Sequence, residues 1–522
     1  MQLADTFNTR SRSRKAFGGA LAVVCGFWGL MLLLVAMPFP LASNRPWLVS
    51  LLGLIVCAFV VWHVWGMGGE QERSAVDAAG QSRWQRARVL FVLMGLWLLL
   101  LTVQMLPLPV TWVRALAHDP LNGFPVLDGQ WATLSVDVFS TRMYLAKAII
   151  FAAVLWLVFR LVDSPTRVEW MVKVLIFSGF LQAVIAVVLL SLGSSYTLFF
   201  VQVDHLMRGK GTFVYHNHFA GYMELTLSLG IGLMIAKLEH KSARKWKQRA
   251  WNWLSLLMSE KARLRIVLII LVIGLIASRS RMGNSAFFIS LLVVGLIAIT
   301  LSRNATKSTI FFIASLIVLD VVIVGGVVGI EKVIQRIEAT NLRAYSTESQ
   351  VQSTVSGDVV AMRDGQGKLN YQQRLEESVE SRVGPGLHAL GIARDFPVLG
   401  VGGGTFHLAF FPYRPIEVQG YYDHAHNDFF EFAVEVGAVG MALLAAMVLH
   451  SMTYSIRILL NRHNQFARGM AFASLMGVLA LMIHSTVDFN LQNTTNGLLF
   501  IVVLCIPYLV GARGRRVKNL AS

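Results

Sequence analysis

The sequence predicts an all-α polytopic membrane protein of about twelve transmembrane helices, with one long connection carrying short helices. Three observations predict it. Hydrophobic residues make up 55% of the 522 positions, and the 43 glycines raise the apolar-plus-glycine share above ~60%, against ~45–50% in a soluble domain. Charged residues are only 14%, roughly half the usual quarter. Apolar stretches of the ~20 residues that cross a bilayer recur along the chain. This composition excludes a disordered chain, and three cysteines exclude a disulfide scaffold. It also argues against a soluble multi-domain enzyme.

The stretches fall near 18–38, 47–67, 88–107, 143–162, 171–192, 218–237, 265–279, 284–302, 309–330, 430–450, 468–487 and 496–512. They divide the chain into N-terminal transmembrane helices (1–207), transmembrane helices with outer-side arginine clusters (208–330), a long loop (331–429) and C-terminal transmembrane helices (430–522). Before the first stretch stand Arg10, Arg12, Arg14 and Lys15. That stretch is too long for a cleavable signal and lacks a small-residue cleavage site. The positive-inside rule therefore puts the N-terminus in the cytoplasm. Twelve crossings return the C-terminus, with Arg513, Arg515, Arg516 and Lys518, to the same side, and put the basic connection Lys241–Arg265 there too. The net charge of +17 then reports orientation and gives no reason to expect nucleic acid. Cys25, Cys57 and Cys505 lie inside predicted spans and read as packing residues.

The long loop lies on the outer side. It opens with a polar stretch, Ser346 to Lys368, and continues through Tyr371–Arg382, where Leu375 and Val379 at helical spacing predict an amphipathic surface helix. A helix should then end before Pro397, ahead of a glycine turn, Gly400-Val401-Gly402-Gly403-Gly404. Without a preceding strand or a βαβ unit, these glycines read as a tight backbone bend, not a nucleotide loop.

Four outer-side clusters stand out, because polar and ionisable groups near a bilayer are costly. Arg208 and Lys210 precede Asn217 and His218 at the start of the sixth span; capping explains Asn217 but not the cations. Arg279 and Arg281 sit between the seventh and eighth spans. They read as snorkelling to headgroups or as a fork for phosphate oxygens, which guanidinium binds in bidentate fashion. Tyr422-Asp423-His424-Ala425-His426-Asn427-Asp428, with Glu431, stands at the mouth of the tenth span. There Asp423 or Asn427 can cap the helix, the two imidazoles can act as bases toward a hydroxyl, and a metal site would want further ligands. His484 and Asp488, four apart, would share a helical face and satisfy each other. Of the acids, Asp320 and Glu224 are expected to lie deepest. Together the clusters suit an anionic, lipid-linked substrate at the outer leaflet.

In this order the clusters resemble the O-antigen ligase and O-antigen polymerase superfamily, which includes O-linked oligosaccharyltransferases. His426-Asn427-x9-Gly437-x2-Gly440 is similar to the family's loop signature. Gly211-Thr212-Phe213-Val214, Asn217-His218-Phe219-Ala220-Gly221, Ser280-Arg281-Met282-Gly283 and Asp395-Phe396-Pro397-Val398-Leu399-Gly400-Val401-Gly402 add to it. The resemblance runs from about Met207 to the C-terminus. At one position it departs: Ser285 stands where some ligases have leucine after the outer arginine.

The resemblance implies an inverting, metal-independent glycosyltransferase of the bacterial inner membrane, with no cofactor. Its donor would be a glycan on undecaprenyl diphosphate. Its acceptor would be a hydroxyl of lipid A core, of a glycan or of a protein. His426 would activate the acceptor and Arg281 would bind the diphosphate. Arg208, Lys210, Asn217, His218, Arg279, His424, Asn427, His484 and Asp488 would form the substrate site. The alternative is a transporter or flippase of the same lipid-linked glycan, which would use many of the same cations. It would also be expected to show paired halves with interrupted helices, which the sequence lacks.

Overall fold

The computed structural model describes residues 23–39, 41–43, 45–66, 82–116, 126–127, 129–193, 208–237, 260–300, 315, 379–414, 422–461 and 464–511. The protein is a multi-pass α-helical membrane protein. The helices are α1 (Val23–Ala36), α2 (Pro46–Gly66), α3 (Arg83–Met105), α4 (Val110–Leu116), α5 (Val138–Leu161), α6 (Pro165–Ser191) and α7 (His216–Ala236). After them come α8 (Glu260–Ala277), α9 (Arg281–Thr300), α10 (Val379–Asp395), α11 (Phe406–Ala409), α12 (Asp428–Asn461), α13 (Gln465–His484) and α14 (Thr494–Val510).

Among the described residues, eight helices are long and apolar enough to cross a membrane, and α1 and α14 are shorter apolar helices. α8 begins with Glu260, Lys261, Arg263 and Arg265 before turning apolar. Eleven of the twelve sequence-predicted spans coincide with helices. The ninth, 309–330, lies outside the described residues apart from Ser315, as do Asp320, the stretch Ser346–Lys368 and residues 371–378 of the expected surface helix. The helix that ends before Pro397 is α10.

One feature differs from an all-α expectation. Two-residue strands β1 (Leu108–Pro109), β2 (Val126–Leu127) and β3 (Trp131–Ala132) form an antiparallel sheet in the order β1-β3-β2. It lies in the connection between α3 and α5, where Pro109 cannot continue a helix and Gly129 turns at φ 69°. Strands this short leave no period-2 pattern to read.

α7 is the mast of the fold. Nearly all of its side chains are buried, whereas α2 turns Trp47, Leu51, Leu54, Trp62 and Trp65 outward. Small residues make this burial possible. A methyl at Gly232 would lie 2.4 Å from the Gly469 carbonyl of α13, and one at Gly469 would lie 2.4 Å from the Gly232 carbonyl. The two backbones touch, as small residues allow where apolar lipid supplies no driving force between helices.

α12 is kinked at Gly437, with φ 60° and ψ −167°. The freed backbone groups are taken up by the glycine segment after α10. Val401 N donates to Val434 O at 3.0 Å and Gly402 N to Glu435 O at 3.0 Å. On the other side, Ala438 N donates to Pro397 O at 2.8 Å and Val439 N to Val398 O at 3.1 Å. Gln104, at the end of α3, donates to Leu399 O (2.6 Å) and Glu435 O (2.8 Å) and accepts from Gly403 N (3.1 Å). The glycines are therefore the tight bend expected, and their purpose is to rivet a loop into a broken helix.

Candidate functional site

The four polar clusters meet at one end of the bundle. The start of α7, the α8–α9 turn, the start of α12 and the end of α13 all converge there. α7 supplies the joins. His216 Nε2 is 2.9 Å from Arg208 Nη1. Asn217 donates to Asp488 and, at 3.0 Å, to the Tyr215 hydroxyl. The His218 ring meets Phe489 edge-on at 4.7 Å, and its carbonyl accepts from Asn496 at 2.8 Å. Two turns further along, Glu224 accepts or shares a proton with His484 Nδ1 at 2.7 Å, both side chains fully buried.

This last contact corrects the sequence expectation for His484 and Asp488. α13 ends at His484, and Ser485 and Thr486 form a turn, so the four-residue spacing does not put the two on one helical face. Asp488 turns to Asn217 instead, and His484 turns to Glu224. Both residues hold helices together rather than facing out of the bundle.

The α8–α9 turn presents the arginines. Arg279 adopts φ 53°, a left-handed conformation uncommon for a residue other than glycine, and both Arg279 and Arg281 are exposed. Ser280 starts α9: its hydroxyl accepts from Gly283 N at 3.1 Å and its carbonyl from the Asn284 amide at 2.7 Å. Gly209 N donates to Ala277 O at 2.7 Å, which docks the Arg208–Lys210 segment beside this turn. Two clusters separated in sequence thus form one basic rim. Beneath it lies Glu224, since a methyl at Gly283 would sit 3.1 Å from the Glu224 carboxylate.

The imidazole cluster is built on the first turn of α12. Asn427, not Asp423, is the cap: its side-chain oxygen accepts from Phe429 N (2.9 Å) and Phe430 N (3.1 Å), and its amide donates to Thr486 O (2.6 Å). Asp428 latches the loop after α13 by accepting from Ser485 Oγ (2.6 Å) and Leu491 N (3.0 Å). Glu431, 1% exposed, accepts from Ala425 N at 2.9 Å and pairs with His424 Nδ1 at 2.7 Å. His426, between these anchors, takes φ 51°. Burial of His424 disfavours its charged form, but the Glu431 carboxylate outweighs this and holds its pKa above the ordinary imidazole value. Burial likewise raises the Tyr422 phenol.

Sequence reading missed the residue at the centre. Phe489 stacks on His424 at 4.4 Å and on Tyr215 at 5.9 Å, and meets His426 (5.0 Å) and His218 edge-on. Its signal was its place in the polar run His484–Asn490. Glu431 and Glu435 were also legible as carboxylates four apart inside an apolar helix. Among the described residues, no group of three or more His, Cys, Asp or Glu is arranged to hold a metal ion.

Beside the imidazoles, between α3, α5, α12, α13 and α14, runs an apolar cavity of about 400 Å³. It reaches from Asp428 and Ser485 to Met447 and Met452, with Lys147 on its wall.

Residues 266–445 match the family model described as O-antigen ligase. No curated protein matches the chain. The matched stretch is narrower than the motif resemblance from about Met207. It contains Arg279, Arg281, His424, His426, Asn427, Glu431, Gly437 and Gly440. Arg208–His218 and His484–Asp488 lie outside it, yet the contacts above bond them to it.

Proposed function

We propose, on the match of residues 266–445 to the O-antigen ligase family model, that the chain is a member of that superfamily and a glycosyltransferase of the bacterial inner membrane. In this reading both termini are cytoplasmic and the site faces the periplasm. The enzyme moves a glycan from undecaprenyl diphosphate to an acceptor hydroxyl of lipid A core, of a glycan or of a protein. The observation that carries the reading is one continuous line of contacts. Arg208 touches His216, the His216 ring touches Tyr215, Tyr215 stacks on Phe489, and Phe489 bears His424 and His426. A rim that attracts diphosphate therefore adjoins imidazoles that serve a hydroxyl.

The roles follow from the chemistry. Arg281 and Arg279, with Arg208 and Lys210, grip the diphosphate and neutralise the charge that develops as it leaves. Guanidinium suits this because it stays charged and needs no metal partner. His426 orients or deprotonates the acceptor hydroxyl on the opposite face of the anomeric carbon, so the configuration inverts. Asn217, His218, Asn427, His484 and Asp488 hold this geometry through the bonds already described. The apolar cavity supplies a surface of the right character for a polyprenyl tail. Because diphosphate is already a good leaving group, positioning supplies much of the rate.

The test is transfer by membranes containing the full-length protein, a polyprenyl-diphosphate-linked glycan and the acceptor. Folded His426→Ala or Arg281→Ala protein should lose transfer by about 10²-fold or more. Full activity in both sinks the reading. A product in which the glycan has merely changed sides, still joined to its carrier, points instead to transport.

A further inference from the structure

A second imidazole in the cluster is built for proton transfer. Glu431 reaches two consecutive groups with its two oxygens: Oε2 accepts from Ala425 N at 2.9 Å, and Oε1 lies 2.7 Å from His424 Nδ1. The carboxylate is 1% exposed and belongs to the first turn of α12, so its position is fixed by the helix. The imidazole is 32% exposed. Phe489 stacks on its face at 4.4 Å and 19°, which holds the ring plane. Among the described residues, Nε2 has no protein partner.

With Nδ1–H donated to the carboxylate, Nε2 carries the lone pair and points away from Glu431. A buried carboxylate, a ring fixed in one tautomer and a partly exposed second nitrogen are the parts of a general-base dyad. The same contact braces the turn in which His426 takes its left-handed conformation.

We propose that His424 is a catalytic base of this site, with Glu431 as its positioning residue, and that His426 orients the acceptor beside it. The proposal rests on the glycosyl-transfer reading. The acceptor O–H gives its proton to His424 Nε2 as its oxygen bonds to the anomeric carbon. The bond from that carbon to the diphosphate oxygen breaks, and its electron pair leaves with the diphosphate. The imidazolium, stabilised by Glu431, then returns its proton to solvent.

The groups facing His424 are Glu431 and Glu435 from α12, Lys147 from α5, His218 from α7 and the neighbouring His426. The two carboxylates favour its protonated form and Lys147 opposes it. Because the base must be neutral, activity falls as pH drops through the His424 pKa. Glu431→Gln removes the main stabiliser of the imidazolium, so this acidic limb moves to lower pH.

The experiment uses the full-length protein in proteoliposomes with a fluorescent polyprenyl-diphosphate oligosaccharide. The acceptor is whichever of lipid A core, glycan or protein the unmodified enzyme uses. His424→Ala should lower kcat by about 10²-fold or more while the donor KM changes little. His424→Gln, which keeps a hydrogen bond to Glu431, should not restore it. Glu431→Gln should move the acidic limb down. Full kcat in folded His424→Ala, rescue by His424→Gln, or an unmoved limb in Glu431→Gln overturns the dyad. If His426→Ala and Arg281→Ala are inactive while His424→Ala is fully active, the dyad alone falls. If all three transfer normally, the glycosyl-transfer reading falls with it.

Discussion

The basic rim and the imidazole cluster are neighbours built on opposite plans. Arg279 and Arg281 are exposed on a turn, with Arg279 in a left-handed conformation. The imidazoles are wedged around Phe489 and anchored by Glu431, Asn427 and Asp428. A charge that meets a mobile, strongly charged ligand gains from exposure and reach. A base gains from a fixed ring and a fixed tautomer. The difference predicts that changes in the rim affect turnover and leave stability alone, whereas changes around the imidazoles affect both.

The largest effect tests the rim. Arg279→Ala combined with Arg281→Ala should lower transfer by about 10²–10³-fold, the range for removing preorganised charge stabilisation. Its melting temperature in detergent should match that of the unmodified protein, because neither guanidinium is buried. A double variant that melts early would show that the rim is structural, and the contrast with the imidazole cluster would collapse.

Next comes Gly437, which the imidazole cluster depends on without touching it. Its φ of 60° with ψ of −167° is open almost only to glycine, and a methyl there would lie 2.5 Å from the Val398 carbonyl. Gly437→Ala should cost about 2–3 kcal/mol in stability. It should also weaken transfer, because the glycine loop and the first turn of α12 lose their common anchor. A fully stable and active Gly437→Ala protein would show that the kink is incidental.

Much of this was legible in the sequence, and the limits have physical causes. The spans were readable because ~20 apolar residues can do little else. The bend at Gly400–Gly404 was readable, but its receptor was not, since a kink inside α12 leaves no hydropathy signal. The four clusters were readable as costly polar groups near a bilayer. Their pairing was not, because it depends on where α13 ends. A helix stopping at His484 sends Asp488 to Asn217 and leaves His484 to Glu224, a partner 260 residues away that no spacing rule reaches. Phe489 was harder to read as a functional residue, because a phenyl ring in an apolar protein is ordinary and only its place in the polar run His484–Asn490 marked it.

A smaller effect isolates the cap. Asn427→Ala removes the acceptor for Phe429 N and Phe430 N and the donor to Thr486 O, and should cost about 1 kcal/mol. Since His426 precedes this cap, transfer should fall further than the stability loss alone explains. Equal retention of activity and fold would detach the signature Asn from the chemistry.

The smallest effect is a pH dependence, and it reads the imidazole cluster by itself. His424 has its pKa raised in the folded protein, burial being outweighed by the Glu431 carboxylate. Between the unfolded and folded pKa values the native state binds more protons, so stability falls as pH rises. The pair's contribution is therefore complete below the ordinary imidazole pKa and is lost as pH climbs through the folded value. Melting the unmodified protein and Glu431→Gln in parallel from about pH 5 to 8 reads this directly. The gap between them should be widest at the acid end and narrow upward, without closing, because neutral His424 still donates from Nδ1. With the imidazole a third exposed, solvent screens the pair, and the change should stay below that of Asn427→Ala. A gap that stays constant with pH would mean that Glu431 serves Ala425 N and the start of α12 alone, and that its charge does nothing for His424.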